Sequence, residues 1–156
     1  MKKTIFLVII LLTFSCSYRV LRPAYESISV GRIENKTSEH GLEDRLTTAL
    51  VEELMKNGIR VDKNSPYKIE GTIDRFELKG VAQKDEVSVQ FEVFIEGGFV
   101  FKGPEGKEHR FRASTIFPQT FSSEGALEEV LSLKESTINS ALKDMAQEIV
   151  SGAVFR

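Results

Sequence analysis

One cysteine, Cys16, stands in a chain of 156 residues. A single thiol cannot close a disulfide within one chain or supply a zinc cluster, so the fold must rest on its own core. The two histidines, His40 and His109, lack the spacing of a metal pair and read as a turn residue and a strand-start residue. No G-x-S-x-G elbow is present, which leaves the serines without a nucleophile setting. The run GPEGKE is no phosphate loop, because Lys107 is followed by Glu108 rather than Ser or Thr. Glu52-Glu53 and Glu128-Glu129 are neighbours on helices and diverge by about 100°, as solvated faces do rather than acid–base pairs. With 21 basic and 23 acidic residues, no excess of positive charge supports a nucleic-acid binder. These absences leave an enzyme with no residue to stand on, and they imply neither a metal nor a cofactor.

Long hydrophobic runs are also lacking. The stretch Ile5 to Leu12 is free of charge but far shorter than the ~20 residues that span a bilayer. With Lys2 and Lys3 before it, it matches the basic and apolar regions of a secretory signal. Ser15 followed by Cys16 resembles the end of a bacterial lipoprotein signal, although Thr13 stands where leucine is usual and Leu12 comes one place early. That resemblance implies a lipid on the Cys16 thiol, which becomes the first mature residue. Ser17, not being aspartate, implies the outer membrane, with the domain facing the periplasm. Each buried lipid CH₂ contributes ~0.8 kcal/mol, so several acyl chains on one residue suffice for anchoring. The chain therefore divides into a signal (1–15), a lipidated tether containing Pro23 (16–24) and one domain (25–156). Without Lys2 and Lys3 the 21 basic residues become 19 against 23 acidic ones, a net charge of −4.

Periodicity supplies the elements. YESISVGRIEN alternates Ile28, Val30 and Arg32 against Ser27, Ser29 and Gly31, a strand ending near Ile33. ENKTSEHG offers turn and capping residues. Leu42, Leu46, Leu50 and Leu54, with Ala49, then form one apolar stripe of a helix that closes at Gly58. Tyr67, Ile69, Gly71 and Ile73 share a strand face, and the switch to Phe76 and Leu78 implies a bulge near Asp74 and Arg75. Val87, Val89, Phe91, Val93 and Ile95 form the clearest strand face, with Phe94 the exception on the other side. Gly97-Gly98 and GPEG read as breaks around a short FVF strand. Phe111, Ala113, Thr115 and Phe117 point inward from the next strand, and Arg110 and Arg112 outward.

From Ser123 the pattern is helical, with Leu127, Leu131, Lys134, Ile138, Ala141, Met145 and Ile149 in a stripe that Val130 and Leu142 broaden. A helix of ~28 residues measures ~42 Å, against ~17–20 Å for an ordinary strand. Either its end projects and exposes Ala153, Val154 and Phe155, or the helix bends or stops early. The expected fold is an α+β two-layer sandwich, with about four mostly antiparallel strands and two helices on one face.

The segment ISVGRIENKTSEHGLEDRLTTALVEELMKNGIRV resembles the LPS-assembly lipoprotein family, LptE, in which a strand ending "I-x-N-x-T" leads through a turn and "GLE" into an amphipathic helix. The order of elements agrees over nearly the whole chain. SYRVLRPAY echoes the family's usual start only through Tyr18, Leu21 and Arg22. The resemblance implies a plug inside the LptD β-barrel of the outer membrane, supporting barrel assembly and lipopolysaccharide insertion. The other class consistent with the residues is a lipoprotein that pilots or activates another envelope partner, a secretin, synthase or secretion channel. Arg110 and Arg112, with Lys102 and Lys107 near the adjacent turn, form the best basic cluster for an anionic glycolipid. The competing reading is that they solvate a sheet edge and discourage pairing there.

Overall fold

The computed structural model describes residues 25–82, 88–122 and 127–154, with side chains described outside 80–91 and 116–130. Cys16, the signal and the tether lie outside the described residues, as do Val87, Phe155 and the side chains of Val89, Phe91, Phe117, Leu127 and Val130. The elements are β1 (Ser27–Asn35), α1 (Leu42–Lys56), β2 (Arg60–Val61), β3 (Lys68–Ala82), β4 (Ser88–Lys102), β5 (Glu108–Ser122) and α2 (Leu127–Val154). The sheet has five strands in the order β2-β1-β3-β4-β5. β1 is parallel to β2 and β3, and β3, β4 and β5 run antiparallel in sequence. The class is the expected α+β sandwich, with one strand more than expected. That strand is the two-residue return after α1, which pairs Arg60 and Val61 with Ser27 and Ile28.

α1 presents Leu42, Leu46, Ala49, Leu50 and Leu54 to the core, and all are buried. Its N-cap is Gly41 in the left-handed region, without a side-chain cap bond, so the polar residues before it shape the loop rather than cap the helix. Gly58, at φ 75, closes the other end, and Ile59 N–H bonds back to the Leu54 carbonyl. Against this stripe lie Ile28 and Ile33 of β1, Ile69 and Ile73 of β3, and Val93, Ile95 and Phe99 of β4. Ile28 and Ile33 share a face despite their odd spacing because one extra residue bulges between Val30 and Ile33. The same bulge turns Arg32 outward, where its side chain is 83% exposed, instead of continuing the inward face. The expected bulge in β3 is present between Ile73 and Arg75.

Two expectations fail, and their causes are linked. Gly97-Gly98 does not break the chain; β4 runs through it for 15 residues. A Cβ on Gly97 would stand 2.4 Å from the Thr72 carbonyl oxygen, and one on Gly71 2.2 Å from the Phe99 ring. The glycines let β3 and β4 close together beside the bulge, with the Phe99 ring filling the space side chains would take. Strands of 15 residues measure ~50 Å, so the sheet is longer than the helix. The end of α2 therefore does not project: Ala153 and Val154 are buried, and Gly152 packs against the Phe111 ring. Exposure falls at the other end instead, where Leu131, expected in the stripe, is 53% exposed. Tyr25, Tyr67 and Phe101 form a ring cluster with centroids 4.6–5.9 Å apart, which fixes the start of the domain to β3 and β4.

Candidate functional site

The Asn35–Glu43 loop carries the motif on which the family resemblance rests, and its chemistry is structural. The Asn35 amide donates to the Glu39 carbonyl at 2.7 Å and to the Glu43 carboxylate at 3.0 Å. Its oxygen accepts from the Thr37 N–H and hydroxyl at 3.0 and 2.8 Å. The Glu43 carboxyl is held below its ordinary range by the backbone hydrogen bond at the helix start and by the Asn35 amide. Lys134 of α2 reaches Glu39 at 3.4 Å, and Arg45 pairs with Glu135, so loop and first helix are tied to the second helix. N-x-T and G-L-E thus encode how β1 turns into α1. Asn35→Ala should cost about 2 kcal/mol by stranding several partners at once, read as a lower melting temperature; an unchanged melt would show the loop holds without it.

The face of the sheet opposite the helices is open and carries charged side chains. Strand alternation places Arg32 and Glu34 on it from β1, Glu70 and Thr72 from β3, Gly98, Val100 and Lys102 from β4, and Glu108 and Arg110 from β5. Together they line an open trough of about 470 Å³. Thr72, Gly98 and Val100 form its floor, and Gly98 leaves it open because a Cβ there would have only Asp74 within 4 Å. Of the four basic residues singled out from the sequence, Lys102 and Arg110 line this trough. Arg112 stands beside it and Lys107 belongs to the turn beyond. Lys107 is paired with Glu105 at 3.6 Å, both highly exposed.

Each of these cations has a carboxylate partner. Lys102 bonds Glu70 at 2.6 Å, Arg110 meets Glu108 at 3.1 Å, and Arg112 meets Glu96 at 2.9 Å with Asp74 at 3.8 Å. The Lys102 hydrogen bond holds the Glu70 carboxyl below its ordinary value, and Glu70 in turn raises the Lys102 ammonium. Both shifts favour the charged pair. The Glu70 contribution is complete above its ordinary pKa of 4.5 and is lost as pH falls through the lowered value. The trough is therefore balanced in charge rather than basic: Arg32, Lys102 and Arg110 face Glu34, Glu70 and Glu108. Sequence alternation locates the cations, but Glu70 comes from a strand 32 residues away and has no local signal. Farther along the face, Phe94 lies under the Arg75 guanidinium at 5.1 Å, which accounts for an aromatic ring on this side.

His40 is an exposed turn residue, and His109 stacks on Phe111 with centroids 5.5 Å apart. Among the described residues no cluster of His, Cys, Asp and Glu could hold a metal ion, and no helix is long and apolar enough to cross a membrane.

No protein-family model and no curated protein sequence matches the chain. Solved structures do. A minor lipoprotein from Acinetobacter baumannii superposes with TM-score 0.55 over 85% of this chain and 92% of its own, at 13% identity. PelC from Paraburkholderia phytofirmans, a dodecamer, gives 0.52 over 83% and 87%, at 14% identity. A chain assigned as a lipoprotein from Caulobacter crescentus gives 0.52 over 78% and 87%, at 21% identity. At these identities the likeness is one of fold, and the fold is one that bacterial lipoproteins use.

Proposed function

We propose that the protein is a lipoprotein anchored in the outer membrane through Cys16, and that it acts without catalysis as the periplasm-facing partner of the LptD barrel in lipopolysaccharide export. The observation that carries this reading is the joining of a lipoprotein-type start to a fold shared with bacterial lipoproteins. The charged open face is compatible with it, since the interiors of outer-membrane barrels are polar. Direct binding of lipopolysaccharide would fall to Arg110 and Arg112 with Lys102 and Lys107, where an anionic headgroup must displace Glu108, Glu96, Glu70 and Glu105 from them.

Depletion of the protein should lower mature barrel and surface lipopolysaccharide together. A depleted strain normal in both would favour the second reading, a pilot or activator of another envelope partner, whether secretin, synthase or secretion channel. One observation speaks for that second reading: the similarity in fold to PelC, which is a dodecamer.

A further inference from the structure

The domain begins at one fixed end of the sheet. The Tyr25 ring lies 4.6 Å from that of Tyr67 and 5.1 Å from that of Phe101, centroid to centroid. Two connections close over the same end. In the 62–66 loop the Ser65 hydroxyl donates to the Ser27 carbonyl at 2.7 Å. In the 103–107 turn the Gly103 N–H donates to the Lys107 carbonyl at 2.7 Å, beside the Tyr67 ring. Both connections present exposed residues, Lys63, Asn64 and Pro66 on one and Pro104, Glu105 and Lys107 on the other. The helices run the same way: Arg45 pairs with Glu135 and Lys143 with Glu52, so α1 and α2 are parallel and both end here. At the opposite end β3 continues past the last β1 pair, Asn35 with Ile73, to Ala82.

We propose that this end of the domain lies against the bilayer that holds the Cys16 lipid, with the far ends of β3 and β4 directed away from it; the proposal rests on the lipoprotein reading above. Chain length sets the occupant. From Cys16 to Tyr25 is nine Cα steps, a reach of ~32 Å at full extension, against ~50 Å for β3. The far end can then meet the bilayer only if the domain lies flat on one of its two faces. Among the described residues neither face has an apolar or basic patch to hold it there. The open sheet face pairs its cations with carboxylates, and the outer side of the helices carries Asp44, Glu52 and Asp144 with Lys143, all exposed. The exposed large apolar side chains, Met55 and Leu131, stand at opposite ends of the helix layer. At the tethered end Tyr25 and Tyr67 are half-buried, and a ring with an apolar body and a polar tip suits the boundary between water and lipid. Charge adds little there: Lys56, Arg60 and Lys107 are paired with Glu53, Glu26 and Glu105. Reach, rather than headgroup attraction, makes the contact.

The test uses the lipidated protein, purified from membranes and returned to vesicles with and without anionic lipid, and a fluorophore on one introduced cysteine. Asn64→Cys and Lys107→Cys label the tethered end. Lys36→Cys, past the far end of β1, and Leu131→Cys, a turn beyond the Lys134–Glu39 pair, label positions away from it. All of these side chains are exposed, so the variants should melt like the unsubstituted protein. Lipid carrying a nitroxide on its headgroup should quench the first two at least about threefold more than the others, in either kind of vesicle. Equal quenching, stronger quenching at 36 or 131, quenching at none, or an order that reverses with anionic lipid would each overturn the proposal. The anchor is checked separately on the unsubstituted protein, which should keep its acyl mass and take no thiol label. A labelled Cys16 would overturn the lipoprotein reading together with this proposal, whereas acylated protein quenched alike at every position would overturn this proposal alone.

Discussion

Leu46→Asp and Leu50→Asp should each abolish the cooperative unfolding transition. Both side chains are fully buried on the α1 stripe, where they meet the sheet. A buried carboxylate with no partner costs several kcal/mol, comparable to a total stability of ~5–15 kcal/mol. Met55, on the same helix but 64% exposed, provides the control, and Met55→Asp should melt close to the unsubstituted protein. Circular dichroism melts of the three variants would check this. Ordinary melting of both leucine variants would mean that α1 buries a different face.

The adjacent glycines of β4 give the second large effect, because one substitution should have opposite outcomes at neighbouring positions. A methyl group on Gly97 would stand 2.4 Å from the Thr72 carbonyl oxygen and 3.0 Å from the Phe99 ring. The first contact is with backbone, so β3 and β4 must separate where the bulge and the Phe99 packing fix their distance. Gly97→Ala should cost about 3 kcal/mol or more, which for a domain of this size lowers the melting temperature by roughly 10 °C. A methyl group on Gly98 faces the open trough, 3.8 Å from its nearest neighbour. Gly98→Ala should be neutral or stabilising by up to ~1 kcal/mol, since alanine has less freedom to lose on folding. Equal melting temperatures for the two variants would contradict the close approach of the strands.

These cases show what a sequence makes legible. The α1 stripe and the β3 bulge are readable because a period, or its interruption, repeats over many residues. β2 has two residues and no period, so it is not legible as a strand of its own. Gly97-Gly98 reads as a break because the ring packed against Gly97, that of Phe99, also fills the space over Gly71 on the neighbouring strand, a contact with no local signal. Taking the strands to be short then leaves α2 either to project or to bend or stop early, whereas it runs to Val154 with Ala153 and Val154 covered. At the candidate site, alternation puts Arg110 and Lys102 on the same face, yet the partner that neutralises Lys102 is Glu70 on another strand. The motif on which the resemblance to the LptE family rests is accounted for by the Asn35 loop. It therefore bears on how the chain folds, and the partner must be established in the membrane.

In-membrane crosslinking of the full-length protein, with mass identification of what is attached, tests the central claim most directly. The predicted result is an adduct with the LptD barrel, on a chain that has lost residues 1–15 and carries several acyl chains on Cys16. Adducts confined to a secretin, a synthase or a secretion channel, or a mature chain with a free Cys16 thiol, would contradict it.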